Sequence, residues 1–231
     1  MKLKTILKIT NGKIINNVDA KEKIRKIQID SRKVKKNDLF IAIVGKNKDG
    51  HDYINDAIKA GANAIICEKN INIETNIPII KVTSTINALG SLALANRIKN
   101  KNIPLIAITG SCGKTTTKEL ISLILSKKYN VLKNEGSLNN HLGLPMTLLD
   151  LNDKYDVAVL EMGMNHENEI SYLSNIALPN YGIITNIGSS HIGNLGSKKN
   201  ILKAKMEITD GISNGILIVN GEDKYLKKVK Y

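Results

Sequence analysis

From position 104 onward, short apolar runs suited to buried strands alternate with longer stretches whose apolar residues recur at helical spacing. The runs predict strands at 104–109, 130–133, 156–162, 181–185 and 215–220. Between them the 3.6-residue periodicity predicts helices at 114–126, around 141–149, at 167–177 and at 198–212. Strict alternation of this kind builds a parallel sheet covered by helices, with ligand sites at the carboxyl ends of the strands. Residues 1–82 pattern differently, with shorter strands at 38–44, 64–67 and 79–81 around one helix at 52–60. A helix at 84–101, opened by Ser84 or Thr85, carries the chain into the second region. The expected fold class is α/β, with a small N-terminal α/β domain (1–82) followed by a phosphate-loop, parallel-sheet domain (83–231).

Composition narrows the function classes. With 231 residues and 42% hydrophobic side chains the chain can bury real cores, built from aliphatic residues because Phe40 is the only phenylalanine and there is no tryptophan. Thirty-four Lys and Arg against 21 Asp and Glu give a net charge of +13. The basic residues are scattered and few rings are available to stack on bases, so nucleic acid is not expected as a partner; the field suits a polyanionic small substrate. Cys67 and Cys112 lack metal-site spacing and form no disulfide framework, which fits a reducing compartment. Lys8 interrupts the first apolar run, and no stretch of about 18 apolar residues occurs, so neither a signal peptide nor membrane insertion is expected. A cytoplasmic location follows as the expectation.

The chemistry concentrates in ITGSCGKTTTKE, a glycine turn between a predicted strand and a predicted helix. Gly110 and Gly113 allow backbone N–H groups to cradle an anion through Ser111, Cys112 and Thr116, Lys114 can reach terminal phosphates, and Thr115 can offer a hydroxyl to Mg2+. The same residues also suit a plain glycine turn capped by threonine. Glu161 closes a strand and, if that strand neighbours 104–109, faces the loop as a metal ligand; otherwise it is a solvated carboxylate. His191 lies on a glycine-rich loop at the same rim, where an ordinary exposed histidine is the alternative. Ser31 and Arg32 offer a hydroxyl and a guanidinium suited to a diphosphate, or an ordinary turn. His51 reads as a turn residue.

The segments ITGSCGKTTTKE, NEGSLNNHLGLPMTLL, LEMGMNHENEISYLSNIALP and ITNIGSSHIGNLGSKKNILKAKMEI occur in the order that resembles the Mur ligase family, and IDSRKVKKNDLFIAIVGKNKDGHDYINDAIKAGANAIICE is similar to its N-terminal domain. The resemblance implies ATP and Mg2+ as cofactors, with Lys114 on the β and γ phosphates, Thr115 and Glu161 on one Mg2+, and His191 on a second. It implies that Lys205 is carbamylated and helps bind that second metal, although the residue otherwise reads as a solvated lysine on a helix. It places Asn139 and Asn140 near the phosphates and the muramyl substrate, where helix-capping amides are the alternative, and Ser31 and Arg32 beside the uridine diphosphate. The catalytic set so implied is Lys114, Glu161, His191 and Lys205.

Within the family the segments look most like the member that joins D-alanyl-D-alanine to UDP-N-acetylmuramoyl-tripeptide in peptidoglycan synthesis; the member adding the preceding diamino acid is the alternative. The resemblance also implies further sequence beyond position 231, completing the central domain and adding a third. Three expectations follow: a fragment with a partial site, an enzyme completed by a separate chain carrying the C-terminal part, or a nucleotide-binding module without catalysis. An open sheet edge with exposed apolar residues is expected in each case.

Overall fold

The computed structural model describes residues 1–16, 18 and 24–230. The chain divides into two compact units, Met1–Ala95 and Asn96–Tyr231.

In the first unit, α1 (Leu3–Thr10) precedes β1 (Lys13–Ile14), β2 (Ile27–Gln28), β3 (Asp38–Ile41), α2 (Ile54–Lys59), β4 (Ala62–Cys67) and β5 (Ile79–Lys81). The sheet order is β1-β5-β4-β3-β2, parallel except for β1 against β5. The apolar pattern of the first residues does not predict helix α1. It arises because Leu3 and Ile6 fall on one face and bury there, and Asn11 ends it in the left-handed conformation with φ 49. Phe40 packs among Val34, Ile54, Ala57, Ile65 and Ile79, so the single phenylalanine is a core residue. His51 holds a turn, as expected. Its buried ring meets Asp49 through Nδ1 at 2.6 Å and accepts the Glu68 N–H at 3.1 Å.

Helix α3 (Thr85–Lys99) runs from the first unit into the second, so the division falls inside it, whereas the sequence pattern places a boundary ahead of it. The second unit continues with β6 (Leu105–Thr109), α4 (Lys114–Leu125), β7 (Val131–Lys133), α5 (Gly143–Leu149), β8 (Val157–Glu161), α6 (Glu169–Ala177), β9 (Tyr181–Ile184), α7 (Ile192–Leu195), α8 (Lys198–Met206) and β10 (Ile216–Val219). Its sheet is wholly parallel in the order β10-β9-β6-β8-β7. Continuously buried strands such as β8 explain why apolar runs, and not alternation, mark this sheet. Helix α8 is shorter than its periodicity predicts. The chain tightens into a 3-10 turn at Glu207–Thr209 because Ser174 Oγ donates to the Ile208 carbonyl at 2.6 Å and accepts the Gly211 N–H at 3.0 Å. A Cβ at Gly211 would stand 2.0 Å from the Ser174 carbonyl oxygen. The expected open edge is β10, where Ile216 and Ile218 are exposed.

Arg97, 2% exposed, fixes how β9 begins. Its guanidinium donates to the carbonyls of Ala177 (2.8 Å), Asn100 (2.9 Å), Ile103 (2.9 Å) and Leu178 (3.2 Å), and to Asn180 Oδ1 (3.3 Å). Leu178 sits at φ 45, an uncommon conformation for a branched residue that this grip holds in place. Arg97→Met leaves those carbonyls without their donors. It is expected to destabilise the second unit by about 3 kcal/mol or more, lowering its thermal midpoint by roughly 6–12 °C; a shift under about 2 °C would remove Arg97 from this role.

Candidate functional site

Strand β6 is flanked by β8 on one side and β9 on the other, so three chain segments leave the sheet side by side at its carboxyl rim. The first is the glycine turn of residues 110–113. Gly110 adopts φ +149, and a Cβ there would meet Thr185 Oγ1 at 1.9 Å, so both conformation and space demand glycine. Gly113 adopts φ +78 and opens α4 with no side-chain cap. The first-turn N–H groups of a 12-residue helix are thereby left to face an incoming anion, with the helix dipole behind them.

The turn is braced from β9. The Ser111 N–H donates to the Asn186 carbonyl at 3.0 Å and the Cys112 N–H to Asn186 Oδ1 at 3.0 Å. The Thr185 hydroxyl donates to the Cys112 carbonyl at 2.6 Å. Two of the N–H groups expected to cradle an anion are thus occupied by Asn186, which moves the anion-facing donors toward the start of α4. Lys114 Nζ folds back onto the Gly110 carbonyl at 2.9 Å, and Thr116 lies in the first turn of α4. Nothing in the local sequence marks Thr185 and Asn186; their role is visible only once β6 and β9 are neighbours.

Glu161 ends β8 beside Ile108 of β6, as the strand-neighbour condition required. It is 2% exposed, which rules out the solvated carboxylate. Its Oε2 accepts the Thr115 hydroxyl at 2.7 Å and its Oε1 the Asn139 amide at 2.8 Å. Asn139 also accepts the Gly163 N–H on its backbone carbonyl at 2.8 Å. Asn140 turns the other way: its Oδ1 accepts the N–H groups of Leu142 and Gly143 at 3.0 and 2.9 Å, closing the turn that leads into α5, whose own N-cap, Leu142, has no side-chain cap.

His191 stands at φ 64 at the start of α7. Burial lowers its pKa below the ordinary histidine value, and the Lys205 and Lys114 charges lower it further, partly offset by Glu169. Lys205 is 1% exposed, so the solvated lysine is excluded. Burial, reinforced by Lys114, brings its pKa down to about 7. In the first unit, Ser31 begins a 3-10 turn and Arg32 is exposed, its Nε and Nη2 both donating to the Asp30 carboxylate. Among the described residues no group of three or more His, Cys, Asp or Glu side chains could hold a metal by itself. No helix among them is long and apolar enough to cross a membrane.

Two family models match the chain, the Mur ligase middle domain over residues 108–231 and the Mur ligase family catalytic domain over residues 23–115. The UDP-N-acetylmuramoyl-tripeptide–D-alanyl-D-alanine ligase of Rickettsia prowazekii is 41% identical over 217 residues, 94% of this chain and 47% of the relative. That of Bacillus subtilis is 38% identical, over 97% and 50%. Among solved structures, MurF from Acinetobacter baumannii superposes with a TM-score of 0.92 at 36% identity, covering 98% of this chain and 50% of that one. MurF from Thermotoga maritima, in complex with ADP, gives 0.81 at 35%, covering 88% and 47%. The chain therefore spans about half the length of the relatives it matches.

The depressed Lys205 pKa has a stability consequence. Folded, Lys205 sheds its proton near pH 7, whereas unfolded it keeps it to about pH 10.5, the ordinary value for a lysine. Between those values the unfolded state binds more protons, so stability rises with pH. Lys205→Met is accordingly expected to stabilise the fold most below pH 7, on the order of a few kcal/mol, and progressively less toward pH 10. Urea midpoints at pH 6 and pH 9 test this; an equal gain at both would place the amine in water.

Proposed function

The chain belongs to the Mur ligase family, and from that membership we propose that it is the nucleotide- and precursor-binding part of a cytoplasmic ligase that joins D-alanyl-D-alanine to UDP-N-acetylmuramoyl-tripeptide, a step of peptidoglycan precursor synthesis. The observation that carries this reading is the joining of a phosphate turn, Lys114 and the Thr115–Glu161 pair at one sheet rim. The relatives named for this reaction supply the substrates. Residues 1–82 take the UDP end, with Ser31 and Arg32 beside the diphosphate, and residues 83–231 take ATP.

ATP lies with its phosphates against the glycine turn and the N-terminus of α4, including the Thr116 N–H. Lys114 exchanges the Gly110 carbonyl for the β and γ phosphates. The tripeptide's terminal carboxylate oxygen attacks the γ-phosphorus, ADP departs, and an acyl phosphate forms. The dipeptide amine then attacks the acyl carbon, inorganic phosphate leaves, and the amine gives up a proton as the amide forms. Lys114 neutralises gathered negative charge, and residues of the rim position the phosphates.

A Mg2+ ion fits the Thr115–Glu161 pair, since one buried carboxylate and one hydroxyl together with phosphate oxygens are a donor set magnesium accepts. It would supply charge neutralisation between the phosphates. A second ion at His191 fits only when Lys205 is not an ammonium. An amine with a pKa of about 7 is partly neutral at physiological pH and can add CO2, giving the carbamate that would complete that ligand pair. Asn139 orients Glu161, and Asn140 shapes the adjoining substrate wall.

Calorimetry with the chain is expected to show ATP·Mg2+ binding that Lys114→Ala weakens by about 10-fold or more, the loss of one charge-assisted contact. Glu161→Gln should remove the gain in affinity that Mg2+ confers while leaving metal-free ATP binding nearly intact. Equal binding by Lys114→Ala and the unsubstituted chain would sink the phosphate assignment. For the reaction itself, residues 1–231 alone are expected to give no phosphate release dependent on both UDP-tripeptide and dipeptide. Adding the C-terminal half of a full-length relative as a second chain should restore it, and turnover by residues 1–231 alone would show a site already complete.

A further inference from the structure

We propose that Asn134 and Lys118 are positioning residues that fix the direction of the Glu161 carboxylate and thereby set the affinity of the rim for a divalent cation. The inference deepens the ligase reading and rests on it. Strand β7 ends at Lys133, whose partner on β8 is Val159, so the backbone ladder stops two residues short of Glu161. The Asn134 side chain continues it. Its Oδ1 accepts the Glu161 N–H at 2.9 Å and its Nδ2 donates to the Glu161 carbonyl at 3.1 Å, so one amide takes both backbone groups as a neighbouring strand would. The same Nδ2 donates to the Leu138 carbonyl at 2.9 Å, immediately before Asn139, the residue that grips Glu161 Oε1. Asn134 thus sets the backbone of the carboxylate and the approach of one of its two donors.

Lys118 holds Asn134 in turn. Both residues are 0% exposed, and Lys118 Nζ donates to the Asn134 carbonyl at 2.6 Å, with Glu119 Oε1 at 3.2 Å balancing its charge. Lys118 lies three residues after Thr115 on α4, so one helix face sends a hydroxyl to the carboxylate and an ammonium to the residue that aims it. A buried ammonium is costly unless its hydrogen bonds are made, which gives this contact a fixed geometry. Removing a group that orients a metal ligand characteristically lowers metal affinity about 10–100-fold.

The test uses the 231-residue chain with ATP, measuring metal-free affinity by calorimetry in EDTA and Mn2+ affinity for the ATP-loaded chain by electron paramagnetic resonance. Asn134→Ala is expected to lower Mn2+ affinity about 10–100-fold while keeping metal-free ATP affinity within about twofold. Lys118→Met should shift the same ratio in the same direction. A purely structural role predicts instead a lower thermal midpoint with both affinities unchanged, or falling by one common factor, and either result in a folded variant overturns the proposal. Should Asn134→Ala not fold, Lys118→Met decides by the same two readings. Absence of Mn2+ binding by the unsubstituted ATP-loaded chain would instead overturn the ligase reading on which the proposal stands.

Discussion

A carboxylate taken out of water must be given donors, and Glu161 shows how much of a protein can be arranged around that requirement. At 2% exposure it draws the Thr115 hydroxyl from the start of α4 and the Asn139 amide from the segment before α5, while Asn134 holds its backbone. Two connections of the parallel sheet, the one from β6 to α4 and the one from β7 to α5, therefore converge on one residue. The convergence depends on strand order, because only with β6 between β8 and β9 do the glycine turn, Glu161 and the Thr185–Asn186 brace emerge together. Fold and site are in this sense one arrangement.

The rim is also strongly asymmetric in charge. Lys114 lowers the pKa of Lys205 and both lower that of His191, while the helix start adds its partial positive charge. A polyphosphate would bring negative charge to these groups and favour their charged forms. The overall charge of +13 contributes attraction at long range but little selectivity, since its lysines are dispersed and screened.

Much of this was legible in the sequence, for reasons that can be named. The strands of the second unit are buried on both faces and so read as unbroken apolar runs, and the phosphate turn carries its own spacing. Four motifs in order identified the family, and the matching domain models agree. What could not be read lay in contacts between distant positions. Asn134 meets Glu161 across 27 residues, and Thr185 meets Cys112 across 73; neither pair leaves a local pattern. Lys205 looks like any helical lysine until its burial is known, and α1 is too short, with two buried side chains, to announce itself. The premature end of α8 follows from Ser174, a residue on another helix.

The bracing of the glycine turn by Asn186 and Thr185 bears on how quickly the site can respond. Surface loops commonly sample many shapes and lose that freedom when a ligand arrives. Here the Ser111 and Cys112 amides are bonded to the exit of a central strand, and Gly110 lies too close to Thr185 for even a methyl group to intervene. Opening the turn would break its bonds to Thr185 and Asn186, the two residues that follow β9. An anion entering the turn therefore meets a backbone already held in place, and the rearrangement that remains falls on side chains, above all the Lys114 ammonium that rests on the Gly110 carbonyl.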